Sequence, residues 1–168
     1  MQVAMTKETL ETKMRQFCTF RICGRLYGVD ILDVKEVNPG MDFTPIFHAP
    51  REIKGYVNIR GQIYLLIDLR LILGFENKEA DDASRVVLFK SKVGESFGAL
   101  VDSIDDITAV DEKQIENRRK QKQEFPEDAE RRSIDIADGV CKMENELLVI
   151  INSRNILNLV GKLKSHSK

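Results

Sequence analysis

The hydrophobic pattern of this chain is sharpest between Gly55 and Gly74, where an alternation breaks and then resumes. Val57 and Ile59 point one way and Tyr56, Asn58 and Arg60 the other. After Gly61, the residues Ile63, Leu65 and Ile67 share a face. A two-residue period is that of a strand with unlike faces. Two such runs joined at Arg60-Gly61 predict a tight hairpin, because glycine supplies the positive φ that the turn needs. Asp68 ahead of the apolar run Leu69 to Leu73, with Gly74 after it, reads as the start and stop of a short helix. The predicted unit is strand, turn, strand, short helix.

The unit recurs 84 positions later without a gap. Gly55 falls on Gly139, Leu65 to Ile67 on Val149 to Ile151, Asp68 on Asn152, and Arg70 on Arg154. Gly61 falls on Asn145, the other residue that tolerates a left-handed backbone. Upstream, Tyr27-Gly28 and Phe97-Gly98 each lead into branched apolar residues at matching steps: Ile31, Val34 and Val37, then Val101, Ile104 and Ile107. The chain reads as a duplicated β-rich half-domain.

The remaining segments fit that frame. Phe17 to Cys23 and Leu26 to Val29 predict a hairpin turning at Gly24-Arg25. Ile31, Val34 and Val37, three apart, suggest a short helix or turn with one apolar edge. Asp42 to Phe47 predicts a short strand limited by Pro45. Arg85 to Ser91, Phe97 to Asp102 and Ile104 to Val110 predict three more strands. Residues 116 to 132 are almost wholly polar and predict a solvated loop. Ile134 to Met143 and Glu146 to Asn152 predict the last hairpin, and Ser153 an N-cap for a final helix carrying Ile156, Leu157, Val160 and Leu163 on one face. The tails, 1–15 and 162–168, are polar.

Totals narrow the function. A net charge of −1 over 168 residues provides no global field for nucleic acid or a membrane surface. The basic block Arg118 to Lys122 lies beside the acidic block Glu124 to Glu130, which cancels the local field that phosphate binding needs. No apolar run is long enough to span a bilayer. Three cysteines at Cys18, Cys23 and Cys141 match neither a disulfide framework nor a zinc knuckle, which suits a reduced, cytosolic chain. His48 and His166 are the only histidines, and neither has a partner in sequence that makes a catalytic set. No glycine-rich phosphate loop occurs. The expectation is a binding module that is not an enzyme, with no cofactor and no metal. Readings set beside it are a small β-rich enzyme and a nucleic-acid-binding module.

Arg60 is the charge that stands out, at a hairpin tip beside Gly61, and Glu36 is its natural partner. A guanidinium offers five donors in a planar fork and is enriched at interface hot spots. Two half-domains leave a groove that accepts amphipathic helices. Ile31, Val34 and Val37 from the first half, with Val101 and Ile104 from the second, are the candidate walls.

These residues resemble a known family. Leu26-Tyr27-Gly28-Val29-Asp30-Ile31, Val34-Lys35-Glu36-Val37, Lys54-Gly55-Tyr56-Val57-Asn58-Ile59-Arg60-Gly61, Ile67-Asp68-Leu69-Arg70 and Phe97-Gly98-Ala99-Leu100-Val101-Asp102 are similar to the CheW family of bacterial chemotaxis coupling proteins. The resemblance covers about residues 16–161. It implies a mainly β fold of two SH3-like five-stranded β-barrel subdomains with short helices. The expected boundaries are 16–75 for the first, with the helix at 153–163 packing on it, and 84–152 for the second. It also implies a scaffold that couples chemoreceptor cytoplasmic tips to the regulatory domain of a CheA-type histidine kinase, in the cytoplasm at membrane receptor arrays, with other adaptor copies as further partners. An adaptor of another chemosensory-like pathway, such as twitching motility, would read the same way. On the matching positions Glu36 and Arg60 face the receptor with Val34 as an apolar contact, and the kinase surface lies on the first subdomain. One departure is Leu65, where relatives often carry proline; this strand can donate one more backbone hydrogen bond.

Overall fold

The computed structural model describes residues 13–40, 42–117 and 136–166. Its strands are β1 (Met14–Ile22), β2 (Arg25–Asp30), β3 (Val34–Pro39), β4 (Ile53–Ile59), β5 (Gln62–Asp68), β6 (Arg85–Phe89), β7 (Phe97–Val101), β8 (Ser103–Asp111), β9 (Ile115–Asn117), β10 (Ala137–Lys142) and β11 (Leu147–Ile151). Helix α1 (Leu69–Ile72) follows β5, and α2 (Ser153–His166) follows β11.

The strands form two sheets of nearly the same design. One runs β8-β1-β2-β11-β10-β9 and the other β3-β6-β7-β5-β4. In each, the hairpin of one half lies parallel to a strand of the other. Ile150 pairs with Gly28 in the first sheet, and Leu66 pairs with Gly98 in the second. The halves have therefore exchanged strands, and the expected division into 16–75 and 84–152 is not the division of the sheets. Branched apolar strands carry no label for their partners, so sequence order alone could not show the exchange.

The repeat holds down to register. Ile53 pairs with Ile67 and Gly55 with Leu66, across a bulge; Ala137 pairs with Ile151 and Gly139 with Ile150, across the same bulge. A side chain on Gly55 would meet the Thr44 carbonyl oxygen at 2.1 Å, and one on Gly139 would meet that of Glu116 at 2.5 Å. Both glycines let a further strand lie across the hairpin. In the first sheet that strand is β9, which begins at Ile115 and so takes residues 116–117 out of the expected loop. In the second it shrinks to one bridge, Thr44 with Tyr56, because Pro45 cannot donate to a ladder.

The expected helix or turn at Ile31, Val34 and Val37 is a single 3-10 turn, Ile31–Asp33, followed by strand β3. The three-residue step comes from a bulge. Val34 faces Phe89 and Val37 faces Val87, with Lys35 and Glu36 together opposite Leu88. Ile104 and Ile107 do the same against Phe20 and Cys18, with Asp105 and Asp106 opposite Thr19. An extra residue returns Val37 to the face of Val34 three positions on, which imitates a helical step.

Three apolar clusters hold the sheets. Val57, Ile59, Tyr64, Leu66, Val86, Leu88 and Leu100 fill the second lobe; Phe17, Leu26, Val110, Cys141, Leu148 and Ile150 fill the first. Between them a larger shared core includes Phe20, Tyr27, Val34, Ile67, Phe89, Phe97, Val101 and Ile151. Phe89 and Phe97 stack there at 4.7 Å. Emptying such a fully buried ring site costs on the order of 3–5 kcal/mol. Ile156, Leu159 and Val160 bring α2 into that shared core, so the helix belongs to both lobes. The Leu65 amide, free of proline, donates to the Ser96 carbonyl at 2.8 Å.

The two helix starts also match. Asp68 Oδ1 accepts from the amides of Arg70 and Leu71. Asn152 Oδ1 accepts from Arg154, so Asn152, and not Ser153, caps α2. The Ser153 hydroxyl instead donates to Asp33 at 2.8 Å.

Candidate functional site

The β4–β5 hairpin turns on two residues. Arg60 (φ 51°) and Gly61 (φ 86°) are both left-handed, the geometry of the turn whose twist matches the strands. Asn58 Oδ1 accepts from the Gly61 amide and braces it. This places Arg60 at the tip, where 69% of its side chain is exposed. Its Nη2 meets both oxygens of Glu36 at 2.5 Å. Glu36 reaches it because the β3 bulge turns Lys35 and Glu36 out together, and Asn38 Nδ2 donates to the same carboxylate. The Arg60 guanidinium, and then Asn38, hold the Glu36 carboxyl below its usual range. The pairing also raises Arg60.

The pair has a structural consequence. β3 and β4 are the open edges of the second sheet, and Glu36 with Arg60 links them. Lys35 also ties β3 to β5, by donating to the Tyr64 hydroxyl at 2.8 Å. Side chains, and not a backbone ladder, close the end of this lobe.

The apolar candidates divide by burial. Val101 is 1% exposed and belongs to the shared core with Val34. Ile31 and Ile104 are partly buried against that core. Val37 is 38% exposed, on the strand that carries Glu36. The structure thus brings Glu36 and Arg60 together, with Val37 exposed on the same strand as Glu36, and places Val101 where no partner touches it.

In the first lobe the matching end carries the opposite charge. Arg21 donates bidentately to Glu146, and its Nε donates to Asp105 at 3.0 Å. The tip is the longer Met143–Glu146 turn, closed by the Met143 amide on the Glu146 carbonyl.

A second feature was missed in the sequence. Phe47 (90% exposed), Tyr56 and Ile63 stand around an open groove of about 670 Å³, walled also by Ile46, His48, Ile53, Leu65 and Glu95. His48 has a left-handed backbone and its ring meets Phe47 edge-on. The alternation of β5 placed Ile63 on the core face with Leu65 and Ile67; that face simply runs past the end of the core. Phe47 lies in a loop where no period marks exposure.

Among the described residues no three His, Cys, Asp or Glu side chains form a metal-binding group. No described helix is long and apolar enough to cross a membrane. Cys18 and Cys141 are buried, Cys23 is exposed, and all three are free. The basic block 118–122 lies outside the described residues.

The CheW-like domain family matches residues 16–161. The chain is 28% identical over 138 residues to the chemotaxis protein CheW of Rhizobium meliloti (strain 1021), covering 82% of this chain and 83% of that protein. It is 30% identical over 138 residues to the probable chemotaxis protein CheW of Rhizobium etli, with the same coverage. Among solved structures, the scaffolding protein TtCheW from Thermoanaerobacter tengcongensis superposes with a TM-score of 0.70 at 26% identity, over 83% of this chain and 89% of that one.

Proposed function

This chain belongs to the CheW-like family, and from that premise we propose that it is a non-catalytic chemotaxis adaptor, coupling chemoreceptor cytoplasmic tips to the regulatory domain of a CheA-type histidine kinase. The observation that carries the receptor-facing part is the exposed Arg60 beside Glu36, with Val37 open on the Glu36 strand. Arginine paired at a rim presents unused donors in a fixed fork, a good anchor for a polar helix surface. Ile31 and Ile104 border the seam between the lobes, and Val34 and Val101 support it from the core. The kinase-facing surface is the apolar groove around Phe47, Tyr56 and Ile63. Its apolar walls come from residues 46–65, and exposed apolar area of this kind marks an interaction site. In this reading the protein works in the cytoplasm, held at receptor arrays by its partners.

The test is a reconstitution of receptor, kinase and adaptor. Arg60→Glu faces Glu36 with a like charge and is expected to reduce receptor-dependent kinase activation at least tenfold, with the thermal midpoint unchanged within about 2 °C. Activation at the wild-type level would remove Arg60 from the site. Calorimetric titration with the kinase regulatory domain should show one-to-one binding that Tyr56→Glu weakens and Arg60→Glu does not.

A further inference from the structure

The duplication provides an internal template for a site that is filled in one lobe and open in the other. Thr19 pairs with Gly28, and Leu88 pairs with Gly98. Those glycines pair in turn with Ile150 and Leu66, residues that correspond in the repeat. Two residues beyond, Arg21 therefore corresponds to Lys90. The matching bulges set Asp105 against Lys35, and the hairpins set Glu146 against Gln62.

In the first lobe the cation at this place is closed by two carboxylates, Asp105 and Glu146. In the second lobe both carboxylates are missing. Lys35, Gln62, Tyr64, Lys90, Ser91, Lys92 and Ser96 surround an open pocket of about 450 Å³ instead. Lys35 is held by the neutral Tyr64 hydroxyl. Gln62 accepts from Tyr64 and donates to Ser96. Among the described residues Lys90 meets no carboxylate, and Lys92 lies 3.8 Å from Asp33. Asp33 is itself engaged by Ser153 and Arg154. Three lysines and two serines thus line one concavity, at the lobe end where the template pairs its cation with two carboxylates.

We propose that this pocket binds an acidic protein segment, whose two neighbouring Asp or Glu carboxylates pair with Lys90 and Lys35 in the way that Asp105 and Glu146 pair with Arg21 in the first lobe. The ammonium groups attract the segment over roughly a Debye length, so binding is salt-sensitive. The serines and the Tyr64 edge orient it once it arrives. The site does not depend on the adaptor reading, since its ligand is defined by chemistry alone.

The test is fluorescence anisotropy of the whole protein with a labelled hexaglutamate peptide, and hexaglutamine as its uncharged counterpart. Hexaglutamate is expected to bind saturably and hexaglutamine not at all. Lys90→Glu is expected to weaken binding about tenfold, since it removes one attraction and adds a repulsion. Lys113→Glu makes the same change of net charge on an exposed turn of the first lobe and is expected to leave binding within about twofold. Lys90 is exposed, so the variant keeps the fold, as an unchanged melt would show. Equal binding of the two peptides, no effect of Lys90→Glu, or an equal loss with Lys113→Glu would overturn the site. Displacement of the peptide by inorganic pyrophosphate at a lower concentration than by glutarate would overturn carboxylate as its ligand. None of these results would bear on kinase activation in the reconstitution above.

Discussion

In the first lobe the hairpin end is acidic and closed on itself, with Arg21 gripped by Asp105 and Glu146. In the second lobe the matching end is basic and open, with Arg60 reaching across the sheet edge to Glu36, Lys35 donating to the Tyr64 hydroxyl, and Lys90 in no ion pair among the described residues. Register, bulges, glycines and helix caps agree between the lobes; the charges at their ends do not. Backbone design was kept where each lobe needs it to fold. Side chains diverged where folding leaves them free, and that is the place to look for function. The inner ends, by comparison, keep the same kind of charge pairing in both lobes. Arg70 of α1 pairs with Asp102 at 3.1 Å, and its counterpart Arg154 of α2 lies 3.9 Å from Asp33. Both ion pairs tie a helix to a crossover between the sheets, so both are structural.

The largest effect on this comparison comes from cutting the chain in the connector 76–83. If each lobe needed only its own half, residues 13–75 and 84–166 would fold separately. Because β1 and β2 lie in one sheet with β8 to β11, and β6 and β7 in the other with β3 to β5, neither fragment holds a complete sheet. Each is expected to lack a cooperative thermal transition alone, and an equimolar mixture to regain one together with the amide dispersion of the intact protein. A cooperative melt from either fragment alone would mean that the exchange is dispensable.

Next come the two glycines. A methyl group at Gly55 meets Thr44 backbone at 2.1 Å on a residue with φ +150°, whereas at Gly139 the approach to Glu116 is 2.5 Å. Backbone cannot yield as a side chain does, so both alanine variants are destabilised, by roughly 2–4 kcal/mol. Gly55→Ala is expected to be the worse, since its backbone is strained as well. Urea titration compares them. A milder effect at Gly55 would show that the single Thr44 bridge detaches at little cost, and that the second lobe tolerates losing the strand that β9 supplies to the first.

How much of this was legible follows from where each signal originates. The hairpin at Arg60-Gly61 and the cap at Asp68 depend on neighbours in sequence and are legible directly; Glu36 and Arg60 lie 24 residues apart, and only their opposite charges point to the pairing. The strand nature of Val34 to Pro39 was hidden because a bulge imitates a three-residue step. β9 has three residues, two of them polar, and exists only because Gly139 admits it. The exchange of strands depends on which of many similar apolar edges meet, and no single residue encodes that. The Lys90 pocket became visible only when pairing, and not sequence alone, aligned Arg21 with Lys90.

A smaller effect separates the two helix caps. Burial pushes the Asp68 carboxyl up, while Lys54, 3.3 Å away, and the Arg70 and Leu71 amides pull the other way. The native state then holds this proton more tightly than the unfolded chain does. The group favours the fold below the unfolded value of about 3.9, and that contribution is lost as pH rises through the raised native value. Asn152 does the same capping without a charge. Asp68→Asn is therefore expected to keep the cap and to gain stability relative to wild type as pH rises above the unfolded value of about 3.9. Asp68→Ala loses the cap at both amides, costing about 1–2 kcal/mol. Equal losses for the two variants across that range would mean that the ion pair with Lys54, and not the cap, holds this helix start.

The smallest change in stability bears most directly on function. Arg60 adopts a left-handed backbone that a residue with a side chain resists, and Gly61 beside it does so freely. If Arg60 were there for the fold, replacing it would weaken the lobe. The turn predicts the reverse: Arg60→Gly relieves the strain, and the lost ion pair with Glu36 is exposed and worth little, so the fold is expected to gain up to about 0.5 kcal/mol. The same variant removes the guanidinium from the tip and is expected to fail in receptor-dependent kinase activation. A protein that grows more stable as it loses coupling would show that Arg60 is retained against the preference of its own turn. A variant both less stable and still active would return Arg60 to the role of a brace between β3 and the hairpin, and the two lobe ends would then differ only in how they are closed.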